Sequence, residues 1–385
     1  MFKNLYPRIE AVAVVAGTII GAGVLGVPYA VAELGVVLSA VVLLLVGGML
    51  AILMLFLSEV SLQTNGRQQL TGYAASYLGP HAKHILATAL VVNIFGALLA
   101  YMIGQGSVLS SLLGGTPVVW SLVFLCVFGI LIVLGINVIK HVEVLLTGLI
   151  LVMLGAVVAI SVPHVTVEHV LTTGTLSLSG VLVMYGVALF ACFGLTAVPQ
   201  VRTILRDESA QTYRSIILIG TLVPPVLYIF FAAVIVGVTG ADTTPVATVA
   251  LGEWLGTGAL LLGSLFAFFA MATSFLALGL ALRNVFHHDY GLSRRTASSL
   301  VLGVPLLLFL SGVRDFITVL SIVGAFALGI VGVVGIMVYL AARESSPDSK
   351  NVIVSYGFGT VSSGILITMF ILSMMLVLFD LLYPL

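Results

Sequence analysis

The chain has 385 residues, is 61% hydrophobic and 7% charged, and has a mean hydropathy of +1.28. Ordinary globular domains are about 25% charged, so a soluble domain of this length is excluded. With 14 basic and 14 acidic residues the net charge is zero, and only the distribution of charge is informative.

Apolar runs about 20 residues long recur from end to end, the mark of a polytopic helical membrane protein. The first run is too long for a cleavable signal peptide, and no small-residue cleavage site follows a short apolar core. Eleven spans are expected, at 9–33, 36–62, 84–112, 117–136, 142–163, 180–204, 212–239, 257–282, 296–313, 316–342 and 353–380. The longest polar stretch outside them, QTNGRQQLTGYAASYLGPHAK between spans 2 and 3, is expected to hold a short interfacial helix. Cys126 and Cys192 both fall within apolar runs and read as small buried side chains, not as a disulfide or a metal site.

If the spans alternate, Lys3, Arg8, Arg67, Lys83, Lys140, Arg202, Arg206, Arg214, Arg283, Arg294, Arg295, Arg343 and Lys350 lie on one side and Arg314 alone on the other. This asymmetry places the N-terminus in the cytoplasm and the C-terminus outside a cell membrane.

Span 1 contains GTIIGAGVLGVPYA, Gly17 to Ala30. Glycine inside a helix costs about 1 kcal/mol relative to alanine. In lipid, backbone groups freed by unwinding are tolerated only where they are buried in protein or line a cavity. Gly17 and Gly21 fit a GxxxG packing pair, but the density of breakers favours a discontinuous helix. Its first half would end near Gly17 and its second start near Ala22. Span 6, VALFACFGLTAVPQVRTIL, is interrupted by Gly194 and Pro199, with Thr196 adding a polar group. Spans 1 and 6 each open a block of five, at 1–163 and 180–342, with 353–380 as an extra helix. An odd number of spans makes the blocks opposite in topology. Interrupted segments at matching positions of two such halves point to a transporter binding site at mid-membrane.

In span 3, Gly96, Ala100 and Gly104 form a small-residue face for close packing. Tyr101 lies one position off that ridge, within reach of a central cavity or packed as an ordinary core aromatic. Asn93 is polar at membrane depth and reads as a structural hydrogen-bonding group.

The span 1 motif GTIIGAGVLGVPYA resembles the opening motif of the amino acid/auxin permease family. AMATSFLALGLALRNVF in span 8 is similar to that family's TSF segment, and FACFG in span 6 resembles the wider amino acid–polyamine–organocation superfamily. The resemblance implies an all-α membrane fold of the leucine-transporter type, a five-plus-five inverted repeat with discontinuous helices 1 and 6. It also implies secondary transport of an amino acid by alternating access. By position, the N–H groups of Ala22, Gly23 and Val24 would face the substrate carboxylate at a helix N-terminus. The carbonyls of Thr18 and Ile19, with those around Phe190, Ala191 and Phe193, would meet its ammonium. Its side chain would lie against Phe193, Tyr101 and Phe190. An uncharged pocket of this kind favours a neutral, apolar or aromatic amino acid.

The same resemblance implies one Na⁺ held by the carbonyls of Gly17, Ile20 and Ala270 and the hydroxyls of Thr273 and Ser274. Against this stands back-bonding of both hydroxyls to their own helix. Proton coupling is the rival; span 5 has no lysine for it, and Glu59 is the best alternative carrier, although it sits near a membrane interface. Arg314 and Asp315 form either an outer gate or an exposed interfacial pair. His287 and His288 are expected to face water. No paired intramembrane carboxylates, HExxH or phosphate-binding loop occurs, so neither an intramembrane enzyme nor an ATP-driven pump is expected. A channel is disfavoured by the lack of a pore loop, and a sensor on the same fold by the short segment before span 1. Neither a cofactor nor a nucleic-acid partner is expected; the bilayer and a small amino acid are the expected partners, with the monomer as the working unit.

Overall fold

The computed structural model describes residues 5–64, 66, 68–134, 139–205, 208–345 and 352–382. Lys3, Arg67, Arg206 and Lys350 of the charge asymmetry lie outside the described residues, as do the side chains of Lys140 and His288.

Each expected span is helical. Span 1 is α1 (Leu5–Ile19) and α2 (Val27–Leu34), separated by Ile20, Gly21 and a 3₁₀ turn, Ala22–Leu25. The two segments are bent by 49° at this break. α3 (Val36–Gln63) returns, and the interfacial helix is present as α4 (Leu70–Leu78). Spans 3 to 5 are α5 (Pro80–Leu113), α6 (Pro117–Leu134) and α7 (Ile139–Ser161), followed by the short α8 (Val167–Thr172). Span 6 is α9 (Leu178–Ala191) and α10 (Val198–Ile204), with Cys192 to Gly194 out of helix and one 3₁₀ turn between. Next come α11 (Ala210–Thr239), the short α12 (Leu251–Leu255), α13 (Thr257–Asn284) and α14 (Arg294–Leu310). Span 10 is α15 (Phe316–Val323) and α16 (Gly329–Ser345), joined by a π turn at Gly324–Leu328; α17 (Tyr356–Leu382) is span 11. Among the described residues eight helices are long and apolar enough to cross a membrane, and the bent pair of span 1 makes a ninth. The other two expected spans are α7, whose first residues lack described side chains, and α14, which has 17 residues.

The helix starts follow local chemistry. Ser177, Ser209, Ser293 and Asp315 each accept a hydrogen bond from the backbone N–H three residues on, satisfying one orphan donor. Both second half-helices begin with Val-Pro: Val27-Pro28 opens α2 and Val198-Pro199 opens α10. Proline lacks an N–H that the first turn would leave unpaired anyway. Pro199 therefore starts a half-helix; it does not break one, as the sequence pattern had implied.

The packing repeats when each span is exchanged for the one five places along. α3 packs on α11 and α5 on α13; α1 packs on α11 as α9 does on α3; α7 packs on α13 as α15 does on α5. This is the arrangement of two inverted five-span units. The small-residue face of α5 does serve close packing. A Cβ at Gly96 would lie 2.1 Å from Val323 Cγ2, and one at Gly104 would lie 2.6 Å from Met271 Sδ.

Candidate functional site

The two breaks meet at the centre of the bundle. A Cβ on Gly23 would lie 2.8 Å from Ala191 Cα, and one on Gly194 would lie 2.6 Å from Ile19 Cγ1. Only glycine allows the unwound strands to touch in this way. Beside the contact is a cavity of about 730 Å³.

Thirteen of the fifteen residues singled out in the sequence line that one cavity. They are Gly17, Thr18, Ile19, Ile20, Ala22, Gly23, Tyr101, Phe190, Ala191, Phe193, Ala270, Thr273 and Ser274. α1 runs to Ile19, two residues beyond the expected end near Gly17, so the unwound segment is shorter than expected. Among the described residues no backbone–backbone hydrogen bond engages the N–H groups of Ala22 and Gly23, or the carbonyls of Gly17, Thr18 and Ile20. At membrane depth such groups need partners, at several kcal/mol each if they lack them. The Tyr101 and Phe190 rings meet edge-on, 6.4 Å apart, forming an aromatic wall.

Val24 is placed elsewhere. Its N–H donates to the Gly21 carbonyl at 3.3 Å, inside the 3₁₀ turn, and its side chain is in the core. The free N–H groups are therefore those of Ala22 and Gly23, since the Gly21 N–H faces the Tyr228 hydroxyl. Glu59 is also away from the cavity. It is fully buried and accepts from Arg343 Nε at 2.7 Å, Arg343 Nη2 at 3.2 Å and the N–H groups of Ile353 and Val354 at 2.8 and 2.9 Å. Arg343 also donates to the Val354 carbonyl and lies over the Tyr339 ring. These bonds join α3, α16 and the entry to α17, away from the cavity. Arg314 and Asp315 do not pair: Asp315 caps α15, and Arg314 lies over Phe309. His287 bonds the Leu292 carbonyl through Nδ1 at 2.7 Å. Cys192 is buried, but Cys126 is exposed on the outer face of α6, because its helix stripe faces away from the bundle.

The Thr273 hydroxyl bonds back to the carbonyls of Phe269 and Ala270, at 2.8 and 3.2 Å. Ser274 Oγ instead lies 3.8 Å from where a Gly21 Cβ would stand and shares a hydrogen bond with the Tyr101 hydroxyl. Among the described residues no Asp, Glu, His, Lys or Arg lines the cavity.

Three polar groups of the site escaped the sequence reading or were given another role. Tyr228 on α11, fully buried, donates its hydroxyl to the Ile19 carbonyl at 2.8 Å and lies 3.3 Å from that of Ala191. Its only signal was a tyrosine hydroxyl in the middle of an apolar span, which must find a partner. Asn93, read as a structural group, lines the cavity at 8% exposure, and its Oδ1 has no partner among the described residues. Gln200 is exposed at the cavity's edge.

The lining descends from the breaks along the first half of α5, the last half of α13 and α10. All three reach the face on which α1 begins. The opposite face is closed: Gly26 packs on Leu320 and Ile317, and Ala247 N–H donates to the Leu25 carbonyl at 3.1 Å.

A profile described as the tryptophan/tyrosine permease family matches residues 7–378. The chain belongs to that family. The amino-acid permease expected from the span motifs stands at that level, and the family matched differs in name from the one those motifs resemble. The permease is 24% identical over 286 residues to a protein named glutamine transporter 2 from Aliivibrio fischeri, covering 70% of this chain and 72% of the relative. It is 26% identical over 220 residues to tyrosine-specific transport system 1 from Haemophilus influenzae, covering 56% of this chain and 54% of the relative. Among solved structures it resembles MhsT in complex with L-phenylalanine, with a TM-score of 0.66, 14% identity, and coverage of 97% of this chain and 98% of that one. It also resembles Mhp1, a nucleobase-cation-symport-1 family transporter, with a TM-score of 0.60, 16% identity, and coverage of 97% and 90%. At this identity the likeness is one of fold, the leucine-transporter type with its inverted repeat. The permease is a multi-pass membrane protein and a secondary amino-acid transporter.

Proposed function

We propose that this permease carries an aromatic amino acid, tryptophan or tyrosine, across the cell membrane in symport with Na⁺, acting as a monomer with its N-terminus in the cytoplasm. The observation that carries the reading is the set of unpaired backbone groups on one charge-free cavity. The N–H groups of Ala22 and Gly23 suit a carboxylate, and the Thr18 carbonyl suits an ammonium. A zwitterion satisfies both without a charged side chain. Tyr101, Phe190 and Phe193 supply an aromatic wall for the substrate's ring. The family's description and the tyrosine carrier named above support the same class.

Na⁺ is favoured over H⁺ because Gly17, Ile20, Ala270, Thr273 and Ser274 all line this cavity and offer neutral oxygens. Hard cations prefer oxygen ligands. Glu59, the carboxylate considered for H⁺, is held by Arg343 away from the cavity. With the N-terminus inside, the opening described above is the cytoplasmic one.

The second reading is glutamine, after the Aliivibrio fischeri relative. Its side-chain amide would donate to the free Asn93 Oδ1, as would an indole N–H or a phenol O–H. Counterflow in proteoliposomes with labelled Trp, Tyr, Gln, Leu and Arg tests both. Exchange of Trp or Tyr with Gln silent is the expected result; exchange of Gln alone selects the second reading, and exchange of Arg alone overturns both. Repeating the assay with choline for Na⁺, with and without a pH gradient, decides the coupling ion.

A further inference from the structure

A second concavity lies on the outside of the bundle, far from the breaks in its composition. It is a groove of about 430 Å³ between α6 and α14, lined by apolar residues, among them Leu122, Cys126 and Gly129 of α6 and Leu302, Gly303 and Leu306 of α14. Cys126, Ile130 and Val133 are exposed along it, so it opens on the bilayer. A Cβ at Gly303 would meet nothing within 4 Å. In a membrane such a groove is filled by acyl chains, since an empty one forfeits the dispersion contacts of its walls.

One end of this groove is basic. Positions 295, 302 and 306 recur at helical spacing, so Arg295 shares the face of α14 that carries Leu302 and Leu306. Arg283, at the end of α13, donates from Nη1 to the carbonyl of Ile132, the neighbour of the lining residue Val133, at 2.5 Å, and from Nη2 to Asn284 Oδ1 at 3.3 Å. Arg283 Nε is buried without a partner among the described residues. Arg294 lies close enough for its charge to act unfavourably on that of Arg283. Neither described ion pair involves any of these three arginines. Like charges held together at a membrane interface are relieved by an anion, and basic pockets between transmembrane helices suit anionic headgroups.

We propose that the groove between α6 and α14 binds one anionic glycerophospholipid, its acyl chain along Gly129 and Gly303 and its phosphate on Arg283 and Arg295. The site is independent of the substrate reading, since it shares none of the cavity's residues and requires only that the chain spans a bilayer. A lipid there ties α6 to α14, which flank α5 and α13, the helices that wall the cavity.

The full chain, purified in detergent and doped with equal phosphatidylglycerol and phosphatidylcholine of the same acyl chains, tests this by native mass spectrometry. Phosphatidylglycerol is expected to be retained at one per chain, with a preference of roughly fivefold for each arginine engaged. Arg295→Gln is expected to reduce that preference by about fivefold. Gly303→Leu fills open space, so it is expected to lower retention of both lipids while the thermal midpoint is kept. Inorganic phosphate is expected not to displace the lipid. Equal retention of the two lipids, retention untouched by both variants, or displacement by phosphate alone would each overturn the proposal.

Discussion

The Tyr228 hydroxyl on α11 donates to the Ile19 carbonyl, where α1 ends, at 2.8 Å. The Ala191 carbonyl, where α9 ends, lies 3.3 Å from the same oxygen. One buried side chain thus links the two broken spans at their loose ends. Tyr228→Phe removes the donor and keeps the ring. Leaving a buried carbonyl unpaired costs about 1–3 kcal/mol, so the thermal midpoint is expected to fall and substrate affinity to drop with it. Unchanged values of both would show that the hydroxyl does not hold the breaks together.

Gly21 and Gly23 separate binding from packing. A methyl at Gly21 would stand 3.8 Å from Ser274 Oγ, an ordinary contact, on a backbone with φ of −132°. Gly21→Ala is expected to fold normally and to weaken substrate binding about tenfold, roughly 1.4 kcal/mol, by crowding the free N–H groups. Gly23→Val instead meets the Ala191 backbone and is expected to lower expression and stability. Isothermal titration beside a melting curve distinguishes them; normal substrate affinity in Gly21→Ala would move the carboxylate site elsewhere.

The ion reading predicts unequal effects of two adjacent hydroxyls. The Thr273 hydroxyl already bonds back to its own helix at Phe269 and Ala270, whereas Ser274 faces the cavity beside Gly21 and the Tyr101 hydroxyl. Ser274→Ala is expected to raise the Na⁺ concentration for half-maximal uptake roughly tenfold, the value of one good hydrogen bond or ligand, and Thr273→Ala less. Wild-type uptake that ignores Na⁺ and follows a pH gradient would remove the site.

Glu59 and Arg343 form a buried pair, at 2.7 Å. Breaking such a pair by removing one charge costs about 3–5 kcal/mol. Glu59→Gln is therefore expected to destabilise the protein strongly while leaving the pH dependence of residual uptake as in the wild type. A stable variant that has lost proton dependence would restore Glu59 as a proton carrier.

On the face where α1 begins, Arg8 and Glu208 pair at 2.8 Å, joining α1 to the approach to α11. The hydrogen bond from Arg8 holds the Glu208 carboxyl below its ordinary range. A lowered carboxylate pKa stabilises the pair above the unfolded value, about 4.3, and that contribution is lost as pH falls through the folded value. Glu208→Gln is expected to melt slightly below wild type at pH 7 and to match it once the pH has fallen below the folded value of Glu208. A difference that persists at the acid end would mean that the pair does not act through ionisation.

The sequence determined the spans because lipid leaves the backbone so few choices. About 20 apolar residues must be helical, glycines inside them mark where the helix is given up, and a Val-Pro step marks where it resumes. That was enough to bring thirteen chosen residues to one cavity. Tertiary structure alone decided which groups the breaks leave free. Val24 was lost to a hydrogen bond within its own turn, Glu59 to an arginine 284 positions away, and the Ile19 and Ala191 carbonyls were claimed by Tyr228 from another helix. Local pattern records whether a polar group must be satisfied at membrane depth. Its partner is settled only when distant helices pack, because that contact leaves no periodicity in the chain.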